Sequence, residues 1–91
     1  MYIHLGNDTV IAANELIAIL NIPLKSDGLD AIVKVIKNAE KKKKLKIIND
    51  HEKARALIIC HDQVYISGIS SHTLYKRAIN PYREESLHGQ E

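Results

Sequence analysis

At 91 residues, with 45% hydrophobic and 26% charged residues, the chain has the length and composition of one small globular domain, too short for two cores. The formal charge of +2 hides an uneven layout: residues 1–80 hold twelve Lys and Arg against eight Asp and Glu, while residues 81–91 hold one Arg against three Glu. No apolar run is long enough for a bilayer, the start lacks the basic and apolar regions of a signal peptide, and the lone Cys60 cannot close an internal disulfide, so a cytoplasmic protein is expected.

A core this small leaves much of the chain's surface in water, which makes burial between copies a natural source of extra stability. With no Trp, no Phe and four Tyr, the chain has little to stack on unpaired bases. Duplex DNA is therefore the better match if the partner is nucleic acid.

Met1, Ile3 and Leu5 alternate with Tyr2 and His4, which predicts a half-buried strand. Gly6-Asn7-Asp8 supplies turn residues, and Thr9 to 12 returns as the second strand of a hairpin. The run Leu16-Ile17-Ala18-Ile19-Leu20 fits strand or helix by pattern; its shortness and its isoleucines favour a strand, which Pro23 stops. Residues 24–28 read as a loop, with Ser26 or Asp27 available to cap the following helix.

That helix is the clearest element. Leu29, Ile32, Val33, Ile36 and Ala39 share a face, while Lys34, Lys37, Lys41 and Lys44 fall within about 80° of one another on a wheel of 3.6 residues per turn. Residues 45–48, 56–60 and 64–66 then predict three short strands in a meander. Ser70 or Ser71 can cap a short helix over residues 72–79, which Asn80-Pro81 closes, and residues 81–91 read as a flexible polar tail beyond a single domain of residues 1–80. The expected class is α+β: a small β-rich domain with an N-terminal hairpin and strand, one central helix, a three-stranded meander and a short C-terminal helix.

The strongest electrostatic feature is Lys41-Lys42-Lys43-Lys44-Leu45-Lys46. Its bland explanation is a solvated helix end, where cations also offset the negative pole of the dipole. Its functional explanation is contact with a phosphate backbone and release of condensed counterions. Lys53 and Arg55 leave the segment Asp50-His51-Glu52, where they could reach a groove or simply pair with the flanking acids in surface contacts worth roughly 0–1 kcal/mol. His51, Cys60, His61 and Asp62 are metal-ligand types, but adjacent strand residues such as Cys60 and His61 face opposite sides, and no second pair recurs at ligand spacing. No nucleophile elbow or Gly-rich phosphate loop is present, and Ser70-Ser71 is explained by capping. Neither an enzyme nor a cofactor is expected.

Met1-Tyr2-Ile3-His4-Leu5-Gly6, Thr9-Val10-Ile11, the Ile17-x-Ile19 pair, the helix from Leu29, Arg55-Ala56-Leu57-Ile58-Ile59, Val64-Tyr65-Ile66-Ser67 and Ser70-Ser71-His72-Thr73-Leu74-Tyr75-Lys76-Arg77-Ala78 follow one another in an order that resembles the Rem family of bacterial extracellular-matrix gene regulators, nearest its RemB branch. The resemblance spans nearly all of residues 1–79 and rests on the order of short motifs. It implies a homo-oligomeric ring that binds double-stranded DNA upstream of matrix and biofilm operons and regulates their transcription. In the RemA branch an arginine stands where this chain has Asn14, and two adjacent arginines stand where it has Glu52 and Lys53; Arg55 keeps its match. The DNA-contacting candidates are therefore Lys53, Arg55, Lys41, Lys42, Lys43, Lys44 and, by position, Asn14. The alternative is a protein-interaction paralogue that has kept the assembly surfaces without the DNA face and modulates a DNA-binding relative.

Overall fold

The computed structural model describes residues 1–22, 28–48 and 53–79. It opens on an antiparallel hairpin in which β1 (Tyr2–Gly6) pairs with β2 (Thr9–Ala12). Alternation turns Ile3, Leu5 and Ile11 into the core and leaves Tyr2, His4 and Val10 exposed. A register shift between His4 and Gly6 bends β1 into the turn, where Gly6 has φ 128° and Asn7 φ 47°. The positive φ favours glycine there, and a Cβ on Gly6 would lie a tight 3.2 Å from Ile48 Cγ2.

A 3-10 turn, Ala13–Glu15, leads into β3 (Leu16–Asn21), which settles the ambiguous apolar run as a strand. Helix α1 (Leu29–Lys41) follows, then β4 (Leu45–Ile47), β5 (Ala56–Cys60) and β6 (Val64–Ser67), forming a four-stranded sheet in the order β3-β5-β6-β4. Helix α2 (Ser71–Ile79) closes the described chain. The mixed α+β class is as expected, but the pairing of β4 differs from a meander. Of these three strands, β5 and β6 form a hairpin, and β4 pairs with β6, in parallel, on the side away from β5.

The reason lies in the crossover. Thirteen residues of helix span about 20 Å at 1.5 Å per residue, enough to carry the chain back to the end of the sheet where β3 began. β4 must then run in the same direction as β3, as in a βαβ unit, and the antiparallel pairs β3·β5 and β5·β6 fill the space between them.

The sheet is covered on both faces. On one, Ile32 of α1 packs with Leu57 and Ile66, bordered by Leu20, Val35, Ile36, Leu45, Ile59 and Val64. On the other, Ala56, Ile58 and Cys60 meet Ile3, Leu5 and Ile11 of the hairpin, Ile48, and Leu74 of α2. β5 is therefore buried along nearly its whole length, which explains its unbroken apolar sequence.

Polar ties fix the outer layer to the sheet. The buried Ser67 hydroxyl donates to Leu5 O at 2.7 Å and accepts from Ile69 N at 3.0 Å, and Arg77 Nη1 donates to His4 O at 2.9 Å. Of the two candidate serines, Ser70 caps α2: its Oγ accepts from Thr73 N at 3.2 Å. At the start of α1 the residue before the first turn is Gly28, at φ 80°; Ser26 and Asp27, the expected caps, lie outside the described residues, as do Pro23, the Asn80-Pro81 stop and the expected tail at 81–91.

Candidate nucleic-acid interface

The lysine run owes its shape to the way α1 stops. Lys44 N donates to Ala39 O at 2.8 Å and Lys43 N to Glu40 O at 3.0 Å, with Lys43 in the left-handed region at φ 59°. This is a Schellman motif built without glycine. It ends the helix at Lys41, so Lys34, Lys37 and Lys41 form the exposed stripe, and Lys44, expected on the same wheel, instead leads into β4. Lys41, Lys42, Lys43, Lys44 and Lys46 are all exposed, and no described carboxylate pairs with them. Their charge also sits at the carbonyl end of α1, where it is stabilising.

Strand register decides what these lysines can share a surface with. Val64 N donates to Lys44 O at 2.8 Å and His61 N to Glu15 O at 3.1 Å, which places residue 44, the 61–63 turn and residues 14–15 along one end of the sheet. Ile22 N donates to Arg55 O at 3.0 Å and Arg55 N to Ser67 O at 2.8 Å, which places Arg55 at the other end. Between Arg55 and His61 the extended chain of β5 covers roughly 20 Å at about 3.3 Å per residue. The candidates therefore divide. Lys41, Lys42, Lys43 and Lys44 occupy one end together with exposed Asn14, and exposed Lys53 and Arg55 extend from the opposite end. Within one copy these two basic groups do not form a continuous patch. Glu52, Asp50 and His51 lie outside the described residues.

The lysine end is diluted by Glu15, Glu40 and Asp62, all exposed. Glu15 has a further effect inward. Burial first, and the Glu15 charge second, push the Cys60 thiol up to about 11; Tyr65 is raised by burial and then by Cys60 and Glu15. Cys60 is thus an inert, protonated core residue. His61 beside it is exposed, and among the described residues no three of His, Cys, Asp and Glu are gathered as a metal site. No helix among the described residues is long and apolar enough to cross a membrane.

Sequence reasoning overlooked Glu15 as the acid facing both the sheet end and Cys60, and Arg77 as a cation tied to the hairpin backbone. The first needed the pairing of Leu16 with Cys60, and the second the docking of α2 on β1; neither follows from local pattern.

This arrangement of hairpin, sheet and two helices spans the residues matched by the family described as RemA-like, extracellular matrix regulatory protein A-like, which cover 2–78. The chain belongs to the RemA-like family. It is also 31% identical over 78 residues to extracellular matrix regulatory protein B of Bacillus subtilis (strain 168), a match covering 86% of this chain and 90% of that protein. The resemblance to the RemB branch is thereby supported, and the names in this RemA-like group denote regulation of extracellular matrix rather than catalysis.

Proposed function

We propose that the chain is a cytoplasmic DNA-binding transcriptional regulator of extracellular-matrix genes, working as a homo-oligomer whose lysine-bearing ends contact the phosphate backbone. The observation that carries this reading is the exposed set Lys41, Lys42, Lys43, Lys44 and Lys46, held on a hydrogen-bonded helix end and unpaired among the described residues. Lysine contacts to phosphate are individually weak and carry no base information, so repetition of the set around an assembly supplies the avidity. Lys53 and Arg55, at the far end of the sheet, form a separate contact group in this reading.

Fluorescence anisotropy with matrix-promoter duplex at several salt concentrations tests it. The observed binding constant should fall steeply with salt, with a log–log slope of about −0.9 per phosphate neutralised. Replacing Lys41, Lys42, Lys43 and Lys44 together by Gln should flatten that slope, while replacing Lys53 and Arg55 by Gln measures the second group alone. No binding even in dilute buffer rejects the DNA reading.

A second reading is favoured by the large apolar side chains left in solvent, Met1, Tyr2, Val10, Ile17, Ile47, Tyr75 and Ile79. On this view the chain is a protein-interaction paralogue that modulates a DNA-binding relative. It predicts co-assembly with that relative and no shift of DNA by this chain alone.

A further inference from the structure

The exposed side of α1 carries its charge in order. At 3.6 residues per turn, Asp30, Lys34, Lys37 and Lys41 fall within about 60° of one another, and all four are exposed. The stripe opens with an acid in the first turn and continues in cations to the cap, where Lys42, Lys43 and Lys44 extend it. Exposed Ala31 and Asn38 flank it on one side and exposed Glu40 on the other. The helix dipole accounts for Lys41, in the last turn, and Asp30 stands at the favourable place four residues before Lys34, but neither accounts for Lys37. Lys37 has a like charge three residues before it and another four residues after it, spacings at which like charges destabilise a helix. Glu40, three residues beyond Lys37, makes no ion pair with it. A row of cations kept at a cost to its own helix is suited to a partner that brings the counter-charge.

We propose that this side of α1 is a track for the backbone of duplex DNA, along which Lys34 and Lys37 each meet a phosphate before the strand reaches Lys41, Lys42, Lys43 and Lys44. The proposal rests on the DNA-binding reading above and adds a side surface to the lysine end. Lys34 and Lys41 are seven residues apart, about 10 Å along the axis at 1.5 Å per residue, which is the rise of roughly three phosphates on one strand of a duplex. A bilayer surface is a poorer match, because a helix lying in a membrane interface turns an apolar face into it. The apolar side of α1 is already taken by the sheet, where Ile32 packs with Leu57 and Ile66. Asp30 closes the track at the start of the helix, so a duplex on it follows α1 toward the lysine end. Because α1 covers one face of the sheet and the hairpin and α2 cover the other, a duplex on the track lies clear of exposed Tyr2, Val10, Tyr75 and Ile79.

Fluorescence anisotropy with the full chain and a matrix-promoter duplex, across salt concentrations, tests the track. Replacing Lys34 and Lys37 together by Gln should make the log–log salt slope shallower by about 1.8, at about 0.9 per phosphate lost, and weaken binding to every duplex sequence alike. Lys37→Gln alone should take half of that change. Lys76→Gln, which removes an exposed cation of α2, should leave the slope as it is and controls for net charge. Circular dichroism checks that the variants are folded. A measurement on the wild type needs no variant: bound duplex should protect Lys34 and Lys37, and not Lys76, from an amine-acetylating reagent, read by mass spectrometry. An unaltered slope in the folded Lys34 and Lys37 variant, an equal change in Lys76→Gln, or no protection of Lys34 and Lys37 overturns the track. If replacement of Lys41, Lys42, Lys43 and Lys44 still weakens binding in that case, the DNA reading stands and the track alone fails. A wild type that ignores duplex at every salt concentration, or that binds phosphatidylserine vesicles in its place, overturns both.

Discussion

Lys43 occupies the left-handed cap position that glycine fills most cheaply, since a Cβ in that conformation costs about 1 kcal/mol or somewhat more. Lys43→Gly should therefore raise stability to urea by roughly 0.5–1 kcal/mol while removing one cation, so weaker DNA binding by a more stable protein would assign the loss to charge and not to folding. Ser67 makes the opposite kind of contribution: Ser67→Ala strips a buried carbonyl, Leu5 O, of its donor and Ile69 N of its acceptor, and should cost about 1–3 kcal/mol in the same measurement. Cys60 sets an alkaline limit. Its folded thiol keeps its proton up to about 11 against an ordinary value of 9, so between those values the unfolded chain binds fewer protons than the folded one and stability falls as pH rises. The contribution is intact below pH 9. Urea titrations from pH 8 to 11 should show that decline, and Cys60→Ala should shrink it without abolishing it, because Tyr65 is raised as well.

Among elements, α2 is held by one cap and one anchor. Ser70→Ala should cost about 1 kcal/mol through the lost bond to Thr73 N, and Leu74→Ala, at a side chain with no exposure, about 2–5 kcal/mol; thermal melts order the two. The elements themselves were legible because each kept its period: two in β1, between three and four in α1, a continuous apolar run in central β5. The hairpin of β1 with β2 and the pairing of β5 with β6 were legible too; the partner of β4 was not. Leu45-Lys46-Ile47 reads the same whether its partner is β5 or β6, and parallel pairing leaves no mark in three residues. The end of α1 was hidden for a different reason, since its stop signal is a lysine in place of the usual glycine. The sequence could not show where the basic candidates sit relative to one another, because residues 41–44 and Arg55 share a charge sign but are held at opposite ends of the sheet by backbone pairing.

For the whole molecule, that separation governs how the proposed DNA-binding assembly would engage a duplex. If one face of the assembly carries the affinity, neutralising Lys41, Lys42, Lys43 and Lys44 and neutralising Lys53 with Arg55 should have unequal effects on affinity. If both ends of the sheet hold DNA, each set of changes should lower the number of duplexes bound per protein, which sedimentation of protein with labelled duplex would count. The inserted position of β6 has a consequence for synthesis as well. Until residue 67 has left the ribosome, β5 and β4 face each other across a vacancy one strand wide, with neither of their inward edges satisfied. The nascent chain therefore commits to its sheet only once β6 is free, and until then it is most open to capture by a chaperone or by a second nascent chain.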